Sequence, residues 1–115
     1  MRRGEIRVVD FEPARGAESN KKRPAIIVSN DGANSTAERL GHGVITVIPV
    51  TTNVERVYPF QVLLRADDCG LKHDSKAQAE QVRSIALERV GTLVGVLPMN
   101  VQALLDDALR LHLSL

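Results

Sequence analysis

The spacing of apolar residues changes once along the chain, near Pro98, and the change separates a strand-rich body from a terminal helix. Before Pro98 the apolar positions form short β-branched runs divided by polar turns. Ile6–Phe11 is the first such run and predicts a strand with imperfect alternation. A polar connection, residues 12–23, follows; a loop of that length inside a compact domain usually carries function or moves. Pro24 opens a second predicted strand reaching Ser29, because a residue without an N–H fits a strand start or an edge. Asn30-Asp31-Gly32 ends it, and 33–40 predicts a short helical turn. Val44–Thr52, dense in Val, Ile and Thr, is a strong strand signal, and Phe60–Leu64 is another. Asp67–Gly70 reads as a turn, Ala77–Ile85 as a strand pair or one bent strand, and Val90–Leu97 as the last strand. Short strands closed by polar turns predict a mainly β (α+β) fold, a small barrel rather than a parallel sheet.

Beyond Pro98, Val101, Leu104, Leu105, Ala108, Leu111 and His112 recur at helical spacing, with Asp106, Asp107 and Arg110 opposite. This predicts a C-terminal helix that covers the barrel and leaves an end for an oligomer interface. The 115 residues are expected to form a single domain, 1–115, with one modest core.

Charge refines this picture more than composition does. The formal net charge is only +1, yet residues 1–23 hold a local +3 and the rest of the chain −2. A basic edge on a near-neutral body suits an anionic ligand, although a solvated charged surface has the same signature. The lone Cys69 has no disulfide partner and sits in an acidic turn, Asp67-Asp68-Cys69-Gly70, which disfavours a reactive thiolate. No apolar run is long enough to span a bilayer and no signal core opens the chain, so a cytoplasmic protein without membrane attachment is expected.

Several chemistries are excluded. The chain has no phosphate-binding P-loop, no dinucleotide fingerprint, no H-E-x-x-H and no C-x-x-C. His42, His73 and His112 are widely separated, and adjacent Asp106-Asp107 cannot face one another on a helix. No cofactor and no metal are therefore expected.

What remains is the long loop running into Lys21-Lys22-Arg23-Pro24 and the strand end Pro49-Val50-Thr51-Thr52-Asn53. Around these lie Arg3-Gly4-Glu5-Ile6, Val9-Asp10-Phe11, Pro13, Gly16, Glu18, Arg23-Pro24-Ala25 and Val28-Ser29-Asn30. Pro49-Val50-Thr51, Tyr58-Pro59-Phe60 and Glu80-Gln81-Val82-Arg83-Ser84-Ile85 follow in order. In this ordered set, which covers nearly the whole chain, the sequence resembles the MazF/PemK family of toxins.

The resemblance implies an SH3-like barrel of the MazF/CcdB type that forms a homodimer. It implies cleavage of single-stranded RNA at short sequences without metal, leaving a 2′,3′-cyclic phosphate and a 5′-hydroxyl. It also implies inhibition by a cognate MazE-like antitoxin. The family's catalytic Arg and Thr match Arg23 and Thr51, its loop acid matches Glu18, and its base-contacting strand matches Glu80 and Gln81. Gly16, Ser19 and Asn20 in the loop, with Thr52 and Asn53 at the strand end, complete the expected RNA-binding set. One departure falls in the loop: where the family often has Ser and then Glu-Gln after the Gly, this chain has Gly16-Ala17-Glu18-Ser19.

The side chains suit that chemistry. Attack by a ribose 2′-OH builds negative charge on the phosphate oxygens, which a planar guanidinium is shaped to stabilise. A Thr hydroxyl can donate to the same centre. Deprotonating an Arg is costly, so the general base stays open between Arg23, Glu18 and the substrate's own phosphate. Taken alone, Arg23 is also an ordinary loop charge, Thr51 an ordinary β-former, and Glu80 and Arg83 an ordinary ion pair. Tyr58-Pro59-Phe60 is expected to pack on the core, and with three aromatics base recognition is expected to rely on hydrogen bonds. The competing reading is a non-catalytic, CcdB-like toxin of the same fold that binds gyrase.

Overall fold

The computed structural model describes residues 1–11 and 22–115. Seven strands, β1 (Glu5–Asp10), β2 (Lys22–Ile27), β3 (Val44–Thr51), β4 (Gln61–Leu64), β5 (Ser75–Gln78), β6 (Arg83–Ala86) and β7 (Val90–Val96), form one antiparallel sheet. Its order is β4-β5-β3-β2-β1-β7, with β6 also paired to β3. Among the described residues three α-helices accompany it: α1 (Asp31–Leu40), α2 (Ala66–Cys69) and α3 (Met99–Leu113). The architecture is mainly β with a C-terminal helix, and the outer strands β4 and β7 are not paired with one another.

Residues distant in the sheet nevertheless share one core. Ile6 of β1, Ile26 of β2, Ile48 and Val50 of β3 and Val62 and Leu64 of β4 pack with Leu105 and Ala108 of α3. The sheet therefore curls, and α3 covers the hollow. Its open side is closed by backbone: the C-terminal end of α2 lies on β7. A Cβ at Gly95 would overlap the carbonyl oxygen of Cys69, and one at Gly70 would come within 3.2 Å of the Val94 carbonyl oxygen. Gly70 also ends α2 in the left-handed conformation, with φ of 74°. A second core lies on the other face of the sheet, where Val9, Phe11, Ala25, Ile27, Ile45, Val47 and Ile85 pack with Ala37 of α1.

Several boundaries differ from the sequence expectation. Residues 33–40 form most of a ten-residue helix, because Asn30 caps it by accepting from the Ala33 N–H at 2.8 Å. Asn34 of that helix is fully buried and is satisfied by Ser29, to which its amide donates at 2.9 Å. The Asp67–Gly70 turn is the short helix α2, and Ala77–Ile85 resolves into the ends of β5 and β6 joined by a 3-10 turn at Ala79–Gln81.

The last helix departs more. Only Leu105 and Ala108 of its stripe are buried, while Leu104 (55% exposed), Leu111 and His112 face outward. Asp106 is not a free polar-face residue either. It accepts from Arg3 at 2.7 Å and from Gln102 at 3.0 Å, tying the N-terminal segment to α3. Partial burial pushes its carboxyl up, but the Arg3 and Gln102 hydrogen bonds and the Arg3 and Arg110 charges outweigh burial and hold it below the ordinary range.

Candidate active site

Arg23 belongs to strand β2, not to the end of a loop, because it pairs directly with Val9 of β1, as Lys22 does with Asp10. On the other side of β2 the ladder to β3 runs Ile27↔Val47, Ile26↔Ile48 and Ala25↔Pro49, and stops there. Pro24 and Pro49 each lack an N–H, so both strands run short of ladder donors at this point. Continuing the register by two residues sets Arg23 opposite Thr51. Residues directly opposite in an antiparallel pair share a face. That face belongs to the second core, whose outermost members Val9 and Ala25 lie beside Arg23. Where the apolar packing ends, the next residues outward are the guanidinium and the hydroxyl.

The row extends further. Thr51 pairs with Lys76 of β5, and Lys76 with Leu63 of β4. One line across the sheet therefore reads Val9, Arg23, Thr51, Lys76, Leu63, with a cation on each side of the threonine. Paired strands lie about 4.8 Å apart, and Arg23 and Thr51 follow directly on the last β2–β3 pair, which sets them near one another at the edge of the packing. Thr51 is half-buried, and its Oγ1 accepts from the Asn53 N–H at 3.3 Å. That contact turns the chain out of β3 and leaves the hydroxyl proton able to donate. Asn53 in turn accepts from the Glu55 N–H at 3.3 Å, and Thr52 and Asn53 are both exposed.

Glu80 and Gln81 sit in the 3-10 turn rather than in a strand. The chain crosses there from β5, paired with the end of β3, to β6, paired with its beginning. Glu80 Oε2 accepts from Gln61 Nε2 at 2.7 Å, while its buried Oε1 has no partner among the described residues. Gln81 is exposed. The ordinary ion pair that is the alternative reading of Glu80 and Arg83 does not form: Glu80 is engaged by Gln61, and Arg83 lies over the Phe11 ring at 5.3 Å. Glu18, Gly16, Ser19 and Asn20 lie outside the described residues.

The segment after β3 holds groups whose placement apolar periodicity does not show. Tyr58 does not pack on the core; it is 41% exposed and stacks on Phe60 with ring centroids 5.3 Å apart. Arg56 and Lys76 both stand over its ring, at 5.5 and 5.9 Å. Burial of Lys76 in a strand has no signature in periodicity, because only the β3–β5 register reveals it. A groove lined by Asp10, Lys22, Glu88, Arg89 and Thr92 lies on the other face of β1 and β2 from Arg23, and its two cations are matched by two carboxylates.

Other sequence candidates stay apart from the row. His42 and His73 are exposed in separate connections and His112 is exposed on α3. Cys69 is buried under β7, and burial together with the Asp68 charge pushes its thiol up, away from the reactive thiolate. Among the described residues no three His, Cys, Asp or Glu side chains gather as a metal-ligating group, and no helix is long and apolar enough to cross a membrane.

Known proteins similar to this chain in sequence and in shape agree with one another. Endoribonuclease MazF9 of Mycobacterium tuberculosis is 62% identical over 115 residues, covering 100% of this chain and 98% of the relative. The endoribonuclease toxin MazF of Escherichia coli K12 is 36% identical over 83 residues, 72% of this chain and 66% of the relative. Among solved structures, a MazE-MazF crystal structure from Deinococcus radiodurans superposes with a TM-score of 0.80 at 26% identity, covering 100% of this chain and 96% of that one. Residues 2–113 match the family described as PemK-like, MazF-like toxin of type II toxin-antitoxin system, and this chain belongs to that family.

Proposed function

We propose that this chain is an endoribonuclease toxin that cuts single-stranded RNA at short sequences, with Arg23 and Thr51 acting on the scissile phosphate. One observation carries the activity: its identity along the full length to a relative that is itself named an endoribonuclease. The row geometry supports the residue assignment. The 2′-hydroxyl gives up its proton and its oxygen attacks the adjacent phosphorus, while the bond to the 5′-oxygen breaks and that oxygen takes up a proton, so that the step neither gains nor loses a proton overall. A 2′,3′-cyclic phosphate and a 5′-hydroxyl result. Arg23 donates paired N–H bonds to the non-bridging oxygens as their charge grows, and Thr51 donates its hydroxyl to the same group. Neither role requires a metal. Arg23 serves as charge stabiliser, since an Arg pKa above about 12 makes proton abstraction by it costly.

Recognition of the bases falls to Thr52, Asn53, Glu80 and Gln81, together with the loop residues Gly16, Glu18, Ser19 and Asn20. The exposed amides of Asn53 and Gln81 support this, because each offers both donors and an acceptor to base edges. The protein acts as a homodimer held in check by a MazE-like antitoxin. Its outward Leu104, Leu111 and Leu113 on α3 supply apolar surface for association. Family membership favours this reading over a gyrase poison of the same fold, which has no use for a guanidinium beside a threonine.

The test incubates wild type and Arg23→Ala with a long single-stranded RNA in EDTA and maps the ends. Cleavage that survives EDTA, leaves cyclic phosphate and disappears in the variant supports the proposal. An intact RNA with wild-type protein overturns it.

A further inference from the structure

Lys76 is a charged side chain only 7% exposed, in the strand that pairs with Thr51. Burying an ammonium is costly unless the fold gives it partners. Here its Nζ donates to the backbone carbonyl of Arg56 at 2.6 Å and stands 5.9 Å from the centre of the Tyr58 ring. Both partners belong to the segment between β3 and β4, and no carboxylate pairs with Lys76 among the described residues. The segment is held from a second side as well, since the Tyr58 N–H donates to Gln61 Oε1 at 3.2 Å.

The consequence is local to Arg56. Its carbonyl is fixed by Lys76, and its guanidinium rests on Tyr58 with Nη1 3.3 Å from the phenol oxygen. Arg56 is exposed, and no acidic side chain pairs with it among the described residues. Nη1 is engaged by the phenol oxygen, while Nε and Nη2 make no hydrogen bond among the described residues and leave donors for a phosphate.

We propose that Lys76 is a positioning residue that braces the segment after β3, so that Arg56 on Tyr58 binds an RNA phosphate neighbouring the one between Arg23 and Thr51. The inference rests on the ribonuclease reading and adds a second phosphate site on the opposite side of Thr51 from Arg23. Lys76 touches no RNA. It acts through the Arg56 carbonyl and the Tyr58 ring.

Three variants test it: Arg56→Ala, Lys76→Met and the double variant, assayed by steady-state cleavage of one RNA at several salt concentrations. Arg56→Ala should raise KM roughly tenfold with kcat within about twofold, and lower the salt slope of log kcat/KM by about 0.7, the value of one single-strand phosphate contact. Lys76→Met should raise KM in the same way, and adding it to Arg56→Ala should change KM less than about twofold further. In the free protein, Lys76→Met should speed hydrogen exchange of the Tyr58 amide at least about tenfold. A fall in kcat at unchanged KM in Lys76→Met, or multiplicative KM effects in the double variant, would overturn the brace. So would unchanged Tyr58 exchange. Should Lys76→Met not fold, Tyr58→Leu removes the seat of both cations and must reproduce the KM and salt effects. Failure of wild type to cleave RNA would sink the ribonuclease reading instead, and the exchange measurement would still report on the brace.

Discussion

Two ends, the outer edge of the curled sheet at β7 and the splayed end of its central β2–β3 ladder, are built on opposite principles. Where α2 meets β7, backbone lies on backbone and only glycine fits at positions 70 and 95. Where β2 meets β3, the ladder ends at the Ala25–Pro49 pair with Pro24 just beyond it, the apolar packing runs out, and arginine, threonine and lysine take the next places in the row. The first end closes the fold and offers nothing to a ligand. The second gives up pairing and packing and gains a line of polar groups on a rigid sheet. Stability and chemistry are thereby carried by different residues, and variants at the two ends should separate them.

The largest expected effect lies at the open end. Arg23→Ala should lower the cleavage rate by about 10²–10³-fold, the cost of removing one preorganised charge stabiliser, while urea unfolding shifts by no more than about 0.5 kcal/mol. Gly95→Ala should do the reverse. Its Cβ has nowhere to go but the Cys69 carbonyl, and the strain should cost about 3 kcal/mol in urea unfolding. The protein that remains folded should cleave at the normal kcat. If Gly95→Ala instead impaired kcat at unchanged stability, the division between the two ends would fail.

A smaller effect belongs to the ion pair that ties the N-terminal segment to α3. Because the native Asp106 carboxyl is held below its unfolded value of about 3.9, its stabilisation is present above that range and is lost as pH falls through the native pKa. Asp106→Asn should therefore cost about 1 kcal/mol at pH 7, and the gap to wild type should close in acid. A gap independent of pH would mean that the carboxylate charge is not what stabilises. The smallest effect concerns Cys69. Buried and pushed toward the thiol form, it should resist alkylation at pH 8 in the native protein, and Cys69→Ala should leave kcat and KM within about twofold.

Strand positions were legible because β-branched runs and polar turns report a half-buried sheet directly, and the change of period at Pro98 reported α3. The helix α1 was underestimated, since its buried Asn34 and its Asn30 cap look like loop residues until Ser29 and Ala33 are placed beside them. The outward leucines of α3 fit the same spacing as the buried ones, and periodicity cannot tell which edge of a wide apolar stripe meets the sheet. Arg23 and Thr51 were legible only through ordered motifs; composition alone leaves a charge and a β-former. Lys76 and Arg56 were not legible at all, because their meaning depends on a strand register and on a segment folding back over it.

The central claim is that Arg23 and Thr51 act on one phosphate. A double-mutant cycle with Arg23→Ala, Thr51→Val and the pair, read as kcat/KM on one RNA, tests it most directly. Groups that serve the same transition state are non-additive, so the double variant should cleave within about threefold of Arg23→Ala alone. Losses that multiply in full would place the two residues at independent sites and contradict the account.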